Sequence, residues 1–316
     1  MRKPLLAIAL LGLLNASPAM ADSAPSIQTP NVLVSIKPLH GLVAAVMKGI
    51  AEPGLIVSGT NSPHGYAMKP SDMRALEAAQ LVVWVGKDFE TWLERPVGKA
   101  KATLAMGEVA GIRTLPTREG GVWEPHDHGH DGHSHEEHAK EDGEEIDGHL
   151  WLDPDNAGRL VDAVATRLKT LDPAHAAVYD SNAAETRQKL VALDAELTAK
   201  LAPLAGKPYV VFHDAHQYFE LRYGLTPAGA ITIDPERPPS AKRMAALRDR
   251  LKTAGAKCVF REPRFAGSTV QALAEASGAR IGQLDPEGAL VQPGPDAYFI
   301  LMRGLGDSLF DCLSGH

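Results

Sequence analysis

The chain is 316 residues long, which leaves room for about two globular domains. Its 44% hydrophobic, 22% charged and 5% aromatic residues describe a chain able to bury a core, which excludes disordered and fibrous classes. A net charge of -7 argues against a nucleic-acid-binding protein, whose affinity depends on pairing cations with phosphates. The unusual feature is 13 histidines.

The chain opens Met1-Arg2-Lys3, continues with the apolar run LLAIALLGLL over 5–14, and then carries small residues ending Ala19-Met20-Ala21. This is the pattern of a secretory signal peptide, 1–21, cleaved after Ala21. A helical span needs about 20 apolar residues, so the run is too short for an uncleaved anchor. Losing Arg2 and Lys3 takes the net charge from -7 to -9, which disfavours binding to a membrane surface by charge. Only Cys258 and Cys312 are present, far from the N-terminus, so no lipid-modified cysteine is expected to tether the mature chain. In an oxidising compartment the pair suggests a disulfide; two buried thiols are the alternative.

From Asn31 short β-branched runs alternate with helical segments: NVLVSI (31–36), an apolar helix through Leu39, Leu42, Val43 and Val46, GLIVSG (54–59), a helix from Pro70, and LVVWVG (81–86). The rhythm returns as YVVFH (209–213), ITI (231–233), KCVF (257–260) and RIGQL (280–284), with a helix over 239–254. Two parallel-sheet α/β lobes are expected. Between them, Asp153-Pro154 starts one helix with the stripe Leu160, Val161, Val164, Leu168 and Leu171. Asp172-Pro173 starts a second, with Leu190, Leu193, Leu197, Leu201 and Leu204 three or four apart. About 30 residues at 1.5 Å each reach roughly 45 Å, enough for a stiff link between lobes. The expected division is a lobe over 22–172, a linking helix over 173–204 and a lobe over 205–316.

Residues 117–147 lack apolar periodicity and are rich in Gly, Asp, Glu and His, which predicts a mobile insertion. It carries His126, His128, His130, His133, His135 and His138. Imidazoles suit zinc, copper and nickel, so the tract is expected to gather divalent transition metals loosely. His64, in NSPHGY after a strand, His149, in GHLWLDP, and His213, ending YVVFH, are better placed to build one defined site. Ligands of open parallel α/β sheets collect at the carboxyl ends of strands. Asp285, after RIGQL, has the same topological position. Three imidazoles with a carboxylate or water make a tetrahedral zinc site.

The stretches SPHGYAMKPSDMRALEAAQLVVWVG (62–86), HLWLDP from His149, FHDAHQYFELRYGLTPAG (212–229), CVFREPRF (258–265) and LDPEG (284–288) resemble the zinc-binding solute receptors of bacterial ABC importers, the ZnuA type of the cluster A-I metal-binding family. The resemblance covers essentially the whole mature chain, and the histidine-rich insertion falls just before HLWL as it does in that family. It implies two α/β lobes joined by a rigid helix with the metal between them, and ligation by His64, His149 and His213. Related manganese and iron receptors usually carry glutamate at the third position, so His213 favours zinc. Asp285 matches a carboxylate that ligates in those relatives and lies near the metal in zinc receptors, so either it or water closes the shell. Some zinc receptors have a glutamate before the first histidine; here Pro63 stands there. Cys258 and Cys312 match the family's disulfide positions.

Among nearby candidates, His216 stands where relatives often carry tyrosine and is expected behind the ligands or at the surface. Glu262 is expected to be a buried, hydrogen-bonded carboxylate, and Trp84 and Trp151 to fill core volume. His40, His175 and His316 are expected to be surface or packing residues. The resulting expectation is a monomeric periplasmic zinc receptor, not an enzyme, that takes Zn2+ as transported ligand and docks on an ABC permease. The alternatives are a secreted zinc hydrolase, against which stands the lack of an HExxH helix, and a periplasmic zinc buffer or chaperone without a permease.

Overall fold

A computed structural model describes residues 29–118, 123 and 145–315. The expected signal peptide, the six loop histidines His126 to His138, and His316 lie outside the described residues. In chain order the regular elements are β1 (Val32–Val34), α1 (Lys37–Val46), β2 (Gly54–Leu55), α2 (Pro70–Ala78), β3 (Leu81–Trp84), α3 (Thr91–Val97), β4 (Thr103–Ala105), α4 (Pro154–Leu171), α5 (Ala176–Leu201), β5 (Tyr209–His213), α6 (Gln217–Tyr223), β6 (Pro227–Thr232), α7 (Ala241–Ala254), β7 (Cys258–Arg261), α8 (Ser268–Ser277), β8 (Arg280–Gln283) and α9 (Ala297–Ser314). No helix among the described residues is long and apolar enough to cross a membrane.

The strands form two four-stranded sheets, ordered β2-β1-β3-β4 and β6-β5-β7-β8, and every pairing is parallel. Both sheets therefore reverse strand order beside their first strand, the place where such sheets open a ligand crevice. α3 and β4 were not expected. β4 offers only Thr103, Leu104 and Ala105 at the sheet edge, and α3 continues through Pro96.

Strand periodicity decides which residues face the other lobe. On β5, Tyr209 and Val211 join the main apolar core, whereas Val210 and Phe212 join a smaller cluster with Leu247, Leu251 and Val270 under α7 and α8. His213 shares the parity of Tyr209 and Val211 and so faces the main core. On β7, Cys258 and Phe260 face that core and Val259 the smaller one, which sends Glu262 to the same side as His213.

α4 begins where the sequence placed it. Asp153 accepts a hydrogen bond from the Asp155 N–H at 2.9 Å, and Pro154 occupies the first turn. Leu160, Val161, Val164 and Leu168 are buried, while Leu171 is half-exposed. α5 buries Leu190, Leu193, Leu197 and Leu201, and Leu204 is buried in the short 3-10 turn that follows. α5 lies between α4 and α9 rather than standing free, and α9 also packs on α1. Gly41 of α1 permits this approach, since a Cβ there would sit 2.8 Å from the Tyr298 backbone nitrogen. At its far end α9 is tied to β7 by the disulfide Cys258–Cys312, which settles the two cysteines as a bridge. The C-terminal helix thus touches both lobes.

Candidate metal centre

The two halves of the long excursion between β4 and α4 meet in a neck. Pro116 bridges Ile146, Thr117 N–H donates to Glu145 O at 2.8 Å, and Asp147 N–H donates to Leu115 O at 2.9 Å. Tyr218 of α6 clasps both sides, its hydroxyl accepting from Leu115 N–H and donating to Asp147 O. Arg118 reaches Asp214 and Glu220 and lies 3.7 Å over the Trp123 ring. The expected insertion limits, 117 and 147, therefore fall inside an ordered structure, because these terminal residues have backbone and side-chain partners.

The neck delivers His149. Its backbone N–H and Nδ1 both bond to Asp147 Oδ1, at 3.0 and 2.7 Å. His213 presents Nδ1 to Glu262 Oε1, so Glu262 is the buried, hydrogen-bonded carboxylate expected. With each Nδ1–H given to a carboxylate, both Nε2 atoms carry lone pairs, yet they face each other at 3.3 Å. His64 sits on the loop after β2, fixed by the Trp92 Nε1–H bond to Pro63 O at 2.7 Å. Its Nε2 lies 3.2 Å from Glu287 Oε1 but is not aligned for a hydrogen bond.

His64, His149, His213 and Glu287 form a group whose donor atoms all lie within 4.8 Å of one another. In a tetrahedron with metal–ligand bonds of about 2.0–2.1 Å, the donor–donor edge is about 3.3 Å. The two measured contacts, 3.3 and 3.2 Å, match that edge. The residues present therefore fit a zinc ion. His149, His213 and Glu287 are buried, and His64 is 20% exposed, which gives an ion its approach.

Burial holds the His213 imidazole down at about 3, so it is neutral and ready to ligate. Burial alone would raise Glu287, but the adjacent His64 and the charge of Arg264 bring its carboxyl down to about 2. An apolar wall closes one side: the Phe89 ring stands edge-on to His64, His149 and Trp151 at 4.8, 5.1 and 5.0 Å. Gly148 is required for that approach, because a Cβ there would lie 2.5 Å from Phe89 Cβ.

Asp285 is placed differently from the expectation. Its two oxygens accept the backbone N–H groups of Ala289 and Leu290, at 2.8 and 3.0 Å, and Glu287 is the carboxylate that enters the group. The signal in the sequence was LDPEG itself, which holds both acids. Lys37, at the head of α1, was not singled out either; its Nζ donates to the carbonyls of Gly288, Ala289 and Val291 and grips the Glu287 loop from the opposite lobe. His216 is buried rather than at the surface, and neither ring nitrogen has a partner among the described residues. His40 is buried against Pro53 O, and His175 bonds to Asp172. Trp84 and Trp151 are buried, the latter donating to Pro286 O.

Comparison with known proteins agrees with this architecture. A family model described as ZnuA, zinc-uptake complex component A periplasmic, matches residues 32–312. The high-affinity zinc uptake system protein ZnuA of Brucella suis biovar 1 is 45% identical over 305 residues, covering 90% of this chain and 91% of that protein. Its namesake in Yersinia pestis is 32% identical, covering 89% and 91%. A crystal structure of ZnuA superposes with a TM-score of 0.75 at 25% identity, over 90% of this chain and all of that one. The laminin-binding protein of Streptococcus agalactiae shares the fold with a TM-score of 0.74 at 24% identity, covering 90% and 100%. With two parallel-sheet lobes and a buried histidine cluster where they meet, the chain belongs to the ZnuA family of periplasmic zinc-uptake components.

Proposed function

We propose that the chain captures zinc in the periplasm and delivers it to the membrane permease of an ABC importer. One observation carries the reading: two buried imidazoles, each held at Nδ1 by a carboxylate, turn their Nε2 lone pairs on the same point. His64, His149 and His213 ligate the ion, and Glu287 takes the fourth position in place of Asp285 or water. Three imidazoles and one carboxylate favour zinc over manganese by ligand softness. Four protein donors leave no open position for a substrate, unlike a catalytic zinc site, so the chain is a receptor and not an enzyme.

The chain is exported, with its signal peptide cleaved after Ala21. Its working parts are a lobe over 22–172, a linking helix over 173–204 and a lobe over 205–316, with α9 reaching across both. His126, His128, His130, His133, His135 and His138 raise the local zinc concentration near the neck. His64, the least buried of the four, then meets the ion first, and the Glu287 loop closes on it. The loop's position signals the loaded state to the permease.

Calorimetry tests this directly. Removing 124–144, which spares the neck and Trp123, is expected to leave one tight zinc site per chain and remove weaker ones. The triple variant His64→Ala, His149→Ala, His213→Ala is expected to lose the tight site. Loss of the tight site on deletion, with its survival in the triple variant, would overturn the reading.

A further inference from the structure

Arg264 stands three residues beyond the end of β7 and is nearly buried, with 7% of its side chain exposed. Its Nη1 pairs with Glu287 Oε2, while its Nε is a buried atom with no partner. Among the described residues, Glu287 is the acid it pairs with. Glu287 is equally enclosed, and its other oxygen, Oε1, is the one beside His64 Nε2. The two oxygens thus face different ways: Oε2 towards a guanidinium, Oε1 towards the donor cluster. The same short loop carries Glu262, so one segment positions both His213 and Glu287.

We propose that Arg264 sets the metal preference of the site by restricting Glu287 to coordination through a single oxygen. The proposal rests on Glu287 being the fourth ligand. A charge-assisted bond to guanidinium is roughly twice as strong as a neutral one, and here it engages one lone pair of Oε2 and holds that oxygen turned towards Arg264. With Oε2 held away, the site offers three nitrogens and one oxygen, the four-coordinate set zinc takes. Free both oxygens and the site offers five donors with more oxygen character, which suits manganese better. The guanidinium also draws charge from the carboxylate, which weakens it most towards hard cations.

The test uses Co2+ as a visible probe, because its d–d absorption is intense in four-coordinate sites and weaker in five-coordinate ones. The full mature chain is expected to give the intense band. Arg264→Met is expected to weaken it and to lower zinc affinity about ten- to hundredfold, with manganese affinity held or raised. An unchanged band and an unchanged zinc-to-manganese ratio in Arg264→Met would overturn the proposal. Glu287→Gln separates the two claims: if it alters neither the cobalt band nor zinc affinity, Glu287 is no ligand and the reading of the site fails first. Should Arg264→Met not fold, infrared difference spectra of the zinc-loaded against the zinc-free chain decide, with Glu287→Gln identifying the relevant carboxylate stretch. A wide splitting of its two stretches supports one-oxygen binding; a narrow, two-oxygen splitting overturns it.

Discussion

Asp147 and Glu262 each fix one ring nitrogen of a histidine so that the other is left to ligate. Neither lies beside its imidazole in a recognised spacing motif, yet both determine where the lone pairs point. Asp147→Ala removes the acceptor for both the backbone N–H and the Nδ1 of His149. We expect zinc affinity to fall about ten- to hundredfold with the fold intact, as measured by competition with a chelator of known strength. Unchanged affinity would mean that the ring is held by its packing against Phe89 and Trp151 instead. At this scale the sequence was partly readable. His64, His149 and His213 stand out because each follows a strand or a loop into a strand end. LDPEG marks the loop that enters the histidine cluster but holds two acids flanking Pro286, and the turn decides which of them faces it. Asp285 is consumed by the N–H groups of Ala289 and Leu290, which leaves Glu287 facing the histidines. That choice depends on backbone geometry that residue spacing does not encode.

Among the elements, α1 has a part in the site that its sequence conceals. A lysine at the head of a helix is ordinarily solvated, but Lys37 is buried and spends all three ammonium hydrogens on carbonyls of the loop after β8. Lys37→Met leaves those carbonyls without donors. We expect a loss of about 2–3 kcal/mol in urea unfolding of the zinc-free chain, since charged hydrogen bonds are worth about 1.5–3 kcal/mol each and water replaces some of them. Zinc is also expected to dissociate faster, because the freed loop carries Glu287; a stopped-flow release rate equal to that of the unaltered chain would count against the clamp. The long strands and both interlobe helices were legible, since β-branched runs and leucine stripes carry their own period. β4 was not: three residues are too few to show alternation, and its pairing with β3 supplies what local sequence lacks. Nor was the reach of α9 onto α1 and α5, which joins residues far apart in the chain, although the cysteine pair did anticipate its tie to β7.

For the whole molecule, one apolar core runs from the first sheet through α4, α5 and α9 to Tyr209, Val211 and Phe260 of the second, so the lobes are joined by packing as well as by chain. Ionisable groups are buried around that core, and they make stability depend on pH in two opposed ways. Burial holds His213 at about 3 and His216 well below its ordinary value. Below pH 6.5 the unfolded chain takes up these protons while the folded chain resists them, down to about pH 3 for His213, so both groups favour unfolding as pH falls. Burial also raises Glu90 and Glu220 to about 7 and lifts Glu262 well above its ordinary value. Between pH 7 and 4.5 the folded chain binds those protons and the unfolded chain does not, so these carboxyls favour folding as pH falls. The carboxyls offset the histidines down to about pH 4.5. Below that the carboxyls have no more to give, the histidines continue to cost, and Glu287, held at about 2, joins them. Each such proton contributes up to about 1.4 kcal/mol per pH unit, so His213 and Glu287, with His216 acting in the same direction, make this limb steep. Urea unfolding of the zinc-free chain is therefore expected to show a shallow profile from pH 7 to 4.5 and a steep loss from 4.5 towards 3. His216→Gln is expected to make that limb shallower. A steady decline beginning at pH 7, with no shoulder, would show that the buried carboxyls do not offset the histidines.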